Sequence, residues 1–384
     1  MVDKAKVVIV GGGISGASIS YNLAKRGLAD VLIIEREKFN AAQATGKCAG
    51  GVRAQFSSDI NCRMSLLSER IFENLGGELG ADIAFNQKGY LFVCATEQEL
   101  ENQRKANEVQ KAAGVDTVQF LTPGEIAARW PVIRTDDLIG GAFNPRDGFV
   151  DPHEVTMGYI NAGRRLGVRQ LLETEITGIK KKGSKISGVE TTAGDIECEI
   201  LINGAGAWCA EIGRMAGVEI PAKPFRRVLY ITTPMKVIPD DLPMVVDNHT
   251  GAYMRRESGG IEFGRANWNE PSSFNQNPDM EYLEEILPFF INRLPFMEDA
   301  DLADAWAGLY SITPDHHAIL GRVPEVENFY LACGYSGHGL MHGPAVGQLI
   351  AELIVEGEYK TIDASVLALM RFKEGREIHE VAVI

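Results

Sequence analysis

The run Gly11-Gly12-Gly13-Ile14-Ser15-Gly16 places glycines at a G-x-G-x-x-G spacing, at Gly11, Gly13 and Gly16. Each answers a separate need of a pyrophosphate ligand. Gly11 permits a tight turn, Gly13 lets the backbone approach the phosphates, and Gly16 allows a helix to pack closely on a strand. The helix that opens at Ile14 and Ser15 would offer free N–H groups and its positive dipole end to the anion. Glu35 follows at the tip of a second apolar run, near the ~20-residue distance at which an acid accepts ribose hydroxyls. An acid there disfavours a 2′-phosphorylated ligand. A merely structural glycine turn explains the spacing alone but not the strand, helix and acid around it. Three more glycine-rich stretches flank apolar runs: Thr45-Gly46-Lys47-Cys48-Ala49-Gly50-Gly51, Gly204-Ala205-Gly206-Ala207-Trp208, and Gly334 through Gly339. An NAD domain does not need backbone approach at so many points, whereas an extended FAD does.

The elements that must carry these loops follow from apolar patterning. Residues 6–10 (KVVIV) and 31–35 (VLIIE) read as buried strands, with a helix over 14–27 between them, a right-handed βαβ unit. Residues 86–95 read as a strand and 97–113 as a charged surface helix. Near Gly148 the chain returns to parallel-sheet character, with a helix to about Arg165, strands at 169–179, 186–192 and 199–203, and later at 329–333. A last helix is expected from about Pro344 to Val355. Between 217 and 324, strands such as 228–233 and 261–264 alternate with Pro- and Gly-rich turns, with one helix over 279–293. The expected fold is α/β: a discontinuous Rossmann-like FAD-binding domain (1–85, 145–215 and 325–384), and an α+β substrate domain (86–144 and 216–324) with a mostly antiparallel sheet.

Composition narrows the partners. The 384 residues carry a formal charge of −14, which disfavours nucleic acid and anionic membranes. No apolar stretch approaches the ~18 residues of a membrane span. Six scattered cysteines without a C-x-x-C pair point to reduced thiols and a cytoplasmic location.

The motifs VVIVGGGISGASISYNLAKRG with IIERE, KCAGGVRAQF, NPRDGFVDPHE, LINGAGAW, and WAGLYSITPDHHAILGR followed by LACGYSGHGLMHGPAVGQLIAELI together resemble the D-amino-acid oxidase superfamily of flavoproteins. Within it the chain is most similar to the sarcosine and glycine oxidase group, above all to the β subunits of heteromeric L-proline dehydrogenase and sarcosine oxidase. The resemblance implies FAD-dependent oxidation of a small amino or imino acid at a carbon–nitrogen bond, by hydride transfer to flavin N5. It also implies the cofactor contacts. Gly11, Gly13, Gly16, Glu35 and the adjoining Arg36 would hold the ADP half, with Ile176, Ala205, Gly206 and Trp208. Thr45, Gly46, Lys47, Gly50 and Gly51 would wrap the flavin. Gly308, Gly337, His338, Gly339, Leu340 and Met341 would pass beside its ring, and the helix near Pro344 would point its positive end at the pyrimidine edge.

For the substrate carboxylate, the resemblance offers three anchoring positions. Two are neutral here, Tyr310 and Met341, leaving Arg53, with Tyr253, Arg255, Tyr310 and His338 as further site candidates. Tyr253 reads equally well as a sheet-packing aromatic, and His338 as a loop-stabilising residue. The spacing of His338 and His342 is that of a metal pair on a helix, but Gly343-Pro344 argues against helix continuity and so against a metal site. His316 and His317 read as structural. Monomeric sarcosine oxidases, which the chain resembles, attach the flavin through a cysteine where this chain has Gly308, so non-covalent FAD is expected. The same enzymes place a lysine that promotes reaction with oxygen where this chain has Glu262, so an acceptor other than oxygen is expected. Two other readings stand beside the amine reading: oxidation of a 2-hydroxy acid or glycerol phosphate with His338 as base, and an electron-relaying subunit of a hetero-oligomer.

Overall fold

In the computed structural model, which describes residues 3–382, the strand Lys4–Val10 lies between Val31–Ile34 and Ile196–Asn203, parallel to both. Arg169–Leu171 extends the sheet beyond the second strand, and Phe329–Cys333 extends it on the other side, again in parallel register. The continuous apolar run of the first strand is explained by two cores. Val7 and Ile9 pack into one and Val8 and Val10 into the other, on opposite faces of the sheet. One face is covered by the helices Ile14–Lys25, Pro152–Arg165 and Gly339–Val355, and the helix Asp59–Leu79 packs outside the last of these.

A second sheet runs in the order Leu302–Ile312, Lys223–Thr232, Gly260–Arg265, Ala252–Glu257, Met244–Asp247, Tyr90–Cys94, Gly140–Asn144, Gln119–Leu121. Its one parallel junction joins Met244–Asp247 to Tyr90–Cys94, which unites the segments around 86–144 and 216–324 in one sheet. Helix Met280–Arg293 seals one face with Tyr282, Ile286 and Phe290. The opposite face carries Tyr90, Met244 and Tyr253. The fold is thus mixed α/β, with one largely parallel and one largely antiparallel sheet.

Several boundaries differ from expectation. Strand Ile319–Arg322 pairs antiparallel with Phe329–Cys333, so it belongs to the first sheet although 319–324 was assigned to the substrate domain. The run 169–179 divides into Arg169–Leu171 and Ile176–Lys182, the chain bending through Glu173 at φ +49°. The last helix opens at Gly339, with Pro344 inside it. A proline forfeits one helical N–H, a cost this helix absorbs because nearly its whole length is buried against Ile14–Lys25 and Asp59–Leu79.

The contact between Ile14–Lys25 and Gly339–Val355 depends on missing side chains. A Cβ at Gly343 would overlap Ile14, and one at Gly347 would overlap Ser18 Oγ. Gly347→Val should therefore destabilise the protein by about 1–3 kcal/mol through overpacking. The measurement is the denaturant midpoint of the purified variant, and an unchanged midpoint would contradict this close approach.

Candidate active site

A cavity of about 190 Å³ runs along the carboxyl ends of the parallel strands. At one end Gly11 turns the chain at φ +106°, and a Cβ there would lie 3.1 Å from the Gly204 carbonyl carbon. The helix behind it has Gly13 as its N-cap and no capping side chain of its own. Thr45 stands in from the flavin-side loop: its Oγ1 accepts from the Ile14 N–H at 3.2 Å and lies 2.9 Å from where a Gly13 Cβ would be. Glu35 is fixed through both carboxylate oxygens, accepting from the Gly12 N–H at 2.7 Å and the Glu37 N–H at 2.9 Å. The far rim is closed by the Arg36 guanidinium, 3.5 Å above the Trp208 ring, which in turn stacks on Phe274.

Of the expected cofactor residues, Gly11, Gly13, Ile14, Ser15, Glu35, Arg36, Thr45, Ile176, Ala205, Gly206, Trp208, Gly337, Gly339 and Leu340 line this cavity. Gly50, Gly51, His338 and Met341 line a smaller one beside it. Gly16, Gly46, Lys47 and Gly308 line neither. Gly16 and Gly46 are packing glycines, where a Cβ would overlap the carbonyls of Gly11 and Ala41. Lys47 Nζ donates to Gln276 at 2.6 Å, and a Cβ at Gly308 would meet Lys47 Cβ at 3.2 Å. Ala41, Ala42, Thr174, Leu309 and Tyr335 also line the main cavity. Ala41, Ala42 and Thr174 lie in none of the family motifs, whereas Leu309 and Tyr335 sit inside such motifs without standing out in them.

The smaller cavity, of about 70 Å³, opens onto the first through Cys48, Tyr310, Gly337 and Leu340. Arg53, Tyr90, Tyr253, Tyr310 and His338 bring the polar groups; Met244 and Met341 add apolar wall. Arg53 is 1 % exposed and lies 3.9 Å over the Phe56 ring. It donates to the carbonyls of Gln55 and Ala382. Among the described residues it forms no direct ion pair; Glu380 and Asp147 act on it only through their charge, and burial holds its pKa below the ordinary arginine value. Burial likewise pushes the phenols of Tyr90, Tyr253 and Tyr310 upward, so they stay neutral donors. None of the three hydroxyls has a hydrogen-bond partner among the described residues. His338 is the N-cap of the last helix, edge-on to Phe56, and burial with the nearby Arg53 charge holds it neutral.

The comparisons with known proteins agree with this geometry. Residues 6–353 match the family described as DAO, FAD dependent oxidoreductase. The chain belongs to this family. L-proline dehydrogenase from P. horikoshii superposes with a TM-score of 0.92 at 32 % identity, over 99 % of this chain and 100 % of that one. The FAD-dependent oxidoreductase domain-containing protein 1 of Xenopus laevis is 31 % identical over 96 % of this chain and 83 % of its own length. Human mitochondrial sarcosine dehydrogenase is 30 % identical over 92 % of this chain, which spans only 40 % of that longer protein.

The residues present fit FAD. The glycine turn and a helix end whose first N–H alone is taken, by Thr45, leave room and donors for a pyrophosphate, and Glu35 stands at the ribose end. Gly337 and Leu340 border the junction with the smaller cavity. In this FAD-dependent oxidoreductase one expected site residue, Arg255, has other partners. Arg255 bridges Glu257 at 2.5 Å and Glu262 at 3.0 Å and lines neither cavity, so its charge is already answered within the sheet. The last helix continues through Gly343-Pro344, but His342 Nε2 is engaged by Ser65 Oγ at 2.9 Å and its pKa is pushed down to about 3 by burial. The rejected metal pair thus has a different obstacle from the one expected. His317 bonds the Asp315 carbonyl and Ser58 Oγ, each at 2.8 Å.

Two residues near the smaller cavity have no sequence signal: Tyr90, and Arg227. Arg227 is 7 % exposed, forms no ion pair among the described residues, and lies 5.1 Å over the Tyr310 ring. Strand alternation separates it from Arg226, which is paired with Glu270 and Asp279 on the other face.

Gly13→Val should abolish FAD binding, since the branched side chain would fill the space beside Thr45 that the phosphates need. The visible flavin spectrum of the purified variant reads this out, and normal flavin content would remove the phosphate-loop assignment. With glycine at 308, acid precipitation should release all FAD to the supernatant; flavin retained on the denatured chain would show a covalent bond.

Proposed function

We propose that this enzyme oxidises the carbon–nitrogen bond of a small amino or imino acid, with proline and sarcosine as the type of substrate, and passes the electrons to an acceptor other than oxygen. The observation that carries this reading is Arg53: a buried guanidinium without a carboxylate partner, facing a small cavity that opens onto the cofactor cavity. A desolvated cation in that position suits a substrate carboxylate. The chain's likeness to L-proline dehydrogenase and sarcosine dehydrogenase supports the amine over the alcohol.

The residues divide the work as follows. Arg53 binds the carboxylate with the N–H groups not given to Gln55 and Ala382. The phenols of Tyr90, Tyr253 and Tyr310 donate to substrate oxygens, and their rings with Met244 and Met341 exclude water. That dry, positively charged surrounding disfavours a protonated substrate amine, so the amine loses its proton before oxidation. FAD, when bound, supplies the hydride acceptor, N5 of its isoalloxazine ring. Orientation and desolvation then suffice without an obligatory general base.

Two features support the non-oxygen acceptor. Among the described residues no lysine lines either cavity. Glu262 is buried and paired with Arg255, and burial pushes its carboxyl up to about 7. At the Glu262 position the one cation, Arg255, is already paired, so it offers no free positive charge to a developing superoxide. An electron carrier or a partner subunit takes that part.

Arg53→Ala should raise KM for the amino or imino acid, and weaken inhibition by acetate or pyrrole-2-carboxylate, by ~30-fold to several thousand-fold, the ~2–5 kcal/mol of a lost buried charge partner. Arg53→Lys should recover only part of this for want of the bidentate fork. Unchanged carboxylate affinity at normal FAD content would move the anchor elsewhere. Steady-state turnover with a dye or quinone should greatly outpace peroxide formation in air; comparable rates would make the enzyme an oxidase.

A further inference from the structure

The segment 378–382 lines neither cavity, yet it reaches Arg53, which lines the smaller one. Its centre is Glu380, 2 % exposed. The Glu380 carboxylate accepts from the backbone N–H groups of Ser57 at 2.8 Å and Ser58 at 3.2 Å, from Ser58 Oγ at 2.7 Å, from Asn61 Nδ2 at 3.0 Å, and from Ser57 Oγ. Two of these donors, the N–H groups of Ser57 and Ser58, sit just before helix Asp59–Leu79, where an anion also meets the positive dipole end. The Ala382 N–H returns to Glu380 Oε1 at 2.9 Å, which folds the segment back on itself. That fold presents the Ala382 carbonyl to Arg53, whose Nη2 donates to it at 2.6 Å.

We propose that Glu380 is a positioning residue for substrate binding: by clamping segment 378–382 to Ser57, Ser58 and Asn61 it holds the Ala382 carbonyl against Arg53 and so fixes which guanidinium N–H groups face the substrate. The proposal rests on the reading of Arg53 as the carboxylate anchor. Four considerations carry it. A guanidinium has five donors in a rigid fork, so occupying one edge with backbone carbonyls orients the remaining edge. The Arg53 backbone is held by its own loop, where the Ala54 N–H and Gln55 Nε2 both donate to Asp147 at 2.9 Å. The side chain's free end has only the Gln55 and Ala382 carbonyls as hydrogen-bond partners among the described residues. And Glu380 adds a negative charge close enough to act on Arg53 without pairing with it, which leaves the cation available to a ligand.

The test is a double-mutant cycle read by carboxylate binding to the full-length, FAD-loaded enzyme. The probe is pyrrole-2-carboxylate, titrated by its perturbation of the flavin spectrum. Glu380→Ala should weaken binding on the order of ten-fold, the coupling expected within one hydrogen-bonded network, and Glu380→Asp should restore part of it. In the Arg53→Ala background, Glu380→Ala should have no further effect. With substrate, KM should rise while kcat stays near its original value. Should Glu380→Ala fail to fold, Ser57→Ala and Ser58→Ala, each removing one clamp donor, should show the same dependence on Arg53. Three results would overturn the proposal. Probe affinity unchanged in a folded, FAD-loaded Glu380→Ala enzyme, while Arg53→Ala does weaken it, leaves Arg53 as anchor but removes Glu380. Equal losses with and without Arg53 make Glu380 structural only. Unchanged affinity in Arg53→Ala removes the anchor and the clamp together.

Discussion

The spacing between helices Ile14–Lys25 and Gly339–Val355 governs the rest of the molecule. One helix end faces the glycine turn and Glu35; the other, begun by His338 and Gly339, faces the junction of the two cavities. A ligand long enough to need both ends can be held only if the helices stay nearly in backbone contact. Gly343 against Ile14 and Gly347 against Ser18 make that contact possible. The same closeness explains the buried Ser15–Tyr335 hydrogen bond of 2.9 Å, which ties the first turn of one helix to the loop leading into the other. The rigid cofactor frame is thus a packing consequence, and the antiparallel sheet brings its tyrosines to a position this frame has already set.

Within that frame the main electrostatic burden is Arg53. Taking a guanidinium out of water without a partner is costly, and the protein offsets the cost in several weak ways. The Phe56 and Phe92 rings lie 3.9 and 5.5 Å from it, two carbonyls accept from it, and the charges of Glu380 and Asp147 act from a distance. Compare Arg371, equally buried, which is neutralised outright by Asp315 at 2.7 Å. The contrast separates a cation that completes the structure from one that is left for a ligand. Near Arg53, Asp147 also leans on Glu69; burial pushes the Asp147 carboxyl up to about 6 and Glu69 well above its usual range, so the pair favours sharing a proton over carrying two charges.

The cofactor half was legible in the sequence because its constraints are local. A glycine turn, a helix start and an acid at a fixed distance are all read within one βαβ unit, and most of the expected residues there line the main cavity. The substrate half was less legible because it is assembled from strands that meet only in the folded sheet. Arg53 stood out by its place in a motif. Tyr90 did not, since its partner strand Met244–Asp247 lies more than 150 residues away and nothing nearby marks it. Arg255 stood behind Arg53 as a second candidate cation until the register placed it directly across from Glu262. The start of the last helix was misjudged because proline's local cost is visible in sequence, whereas the burial that outweighs it is not.

Glycine and tyrosine are paired throughout the smaller cavity, and this pairing argues that its shape is specified. A Cβ at Gly51 would overlap the Tyr90 hydroxyl, one at Gly337 would overlap the Tyr310 ring, and one at Gly264 would come within 2.7 Å of the Tyr253 hydroxyl. Each tyrosine therefore occupies space that any other residue opposite it would take. A phenol seated in this way loses little rotamer freedom on meeting a ligand, because the freedom was lost on folding. The three glycines come from three separate parts of the chain: the loop after Thr45, the strand Gly260–Arg265, and the loop before the last helix. Two of the three, Gly51 and Gly337, line the smaller cavity, and Gly337 lines the cofactor cavity as well. Backbone closeness needed for the cofactor and aromatic walls needed for a small substrate are thus met by the same missing side chains, so a change that relaxes one disturbs the other.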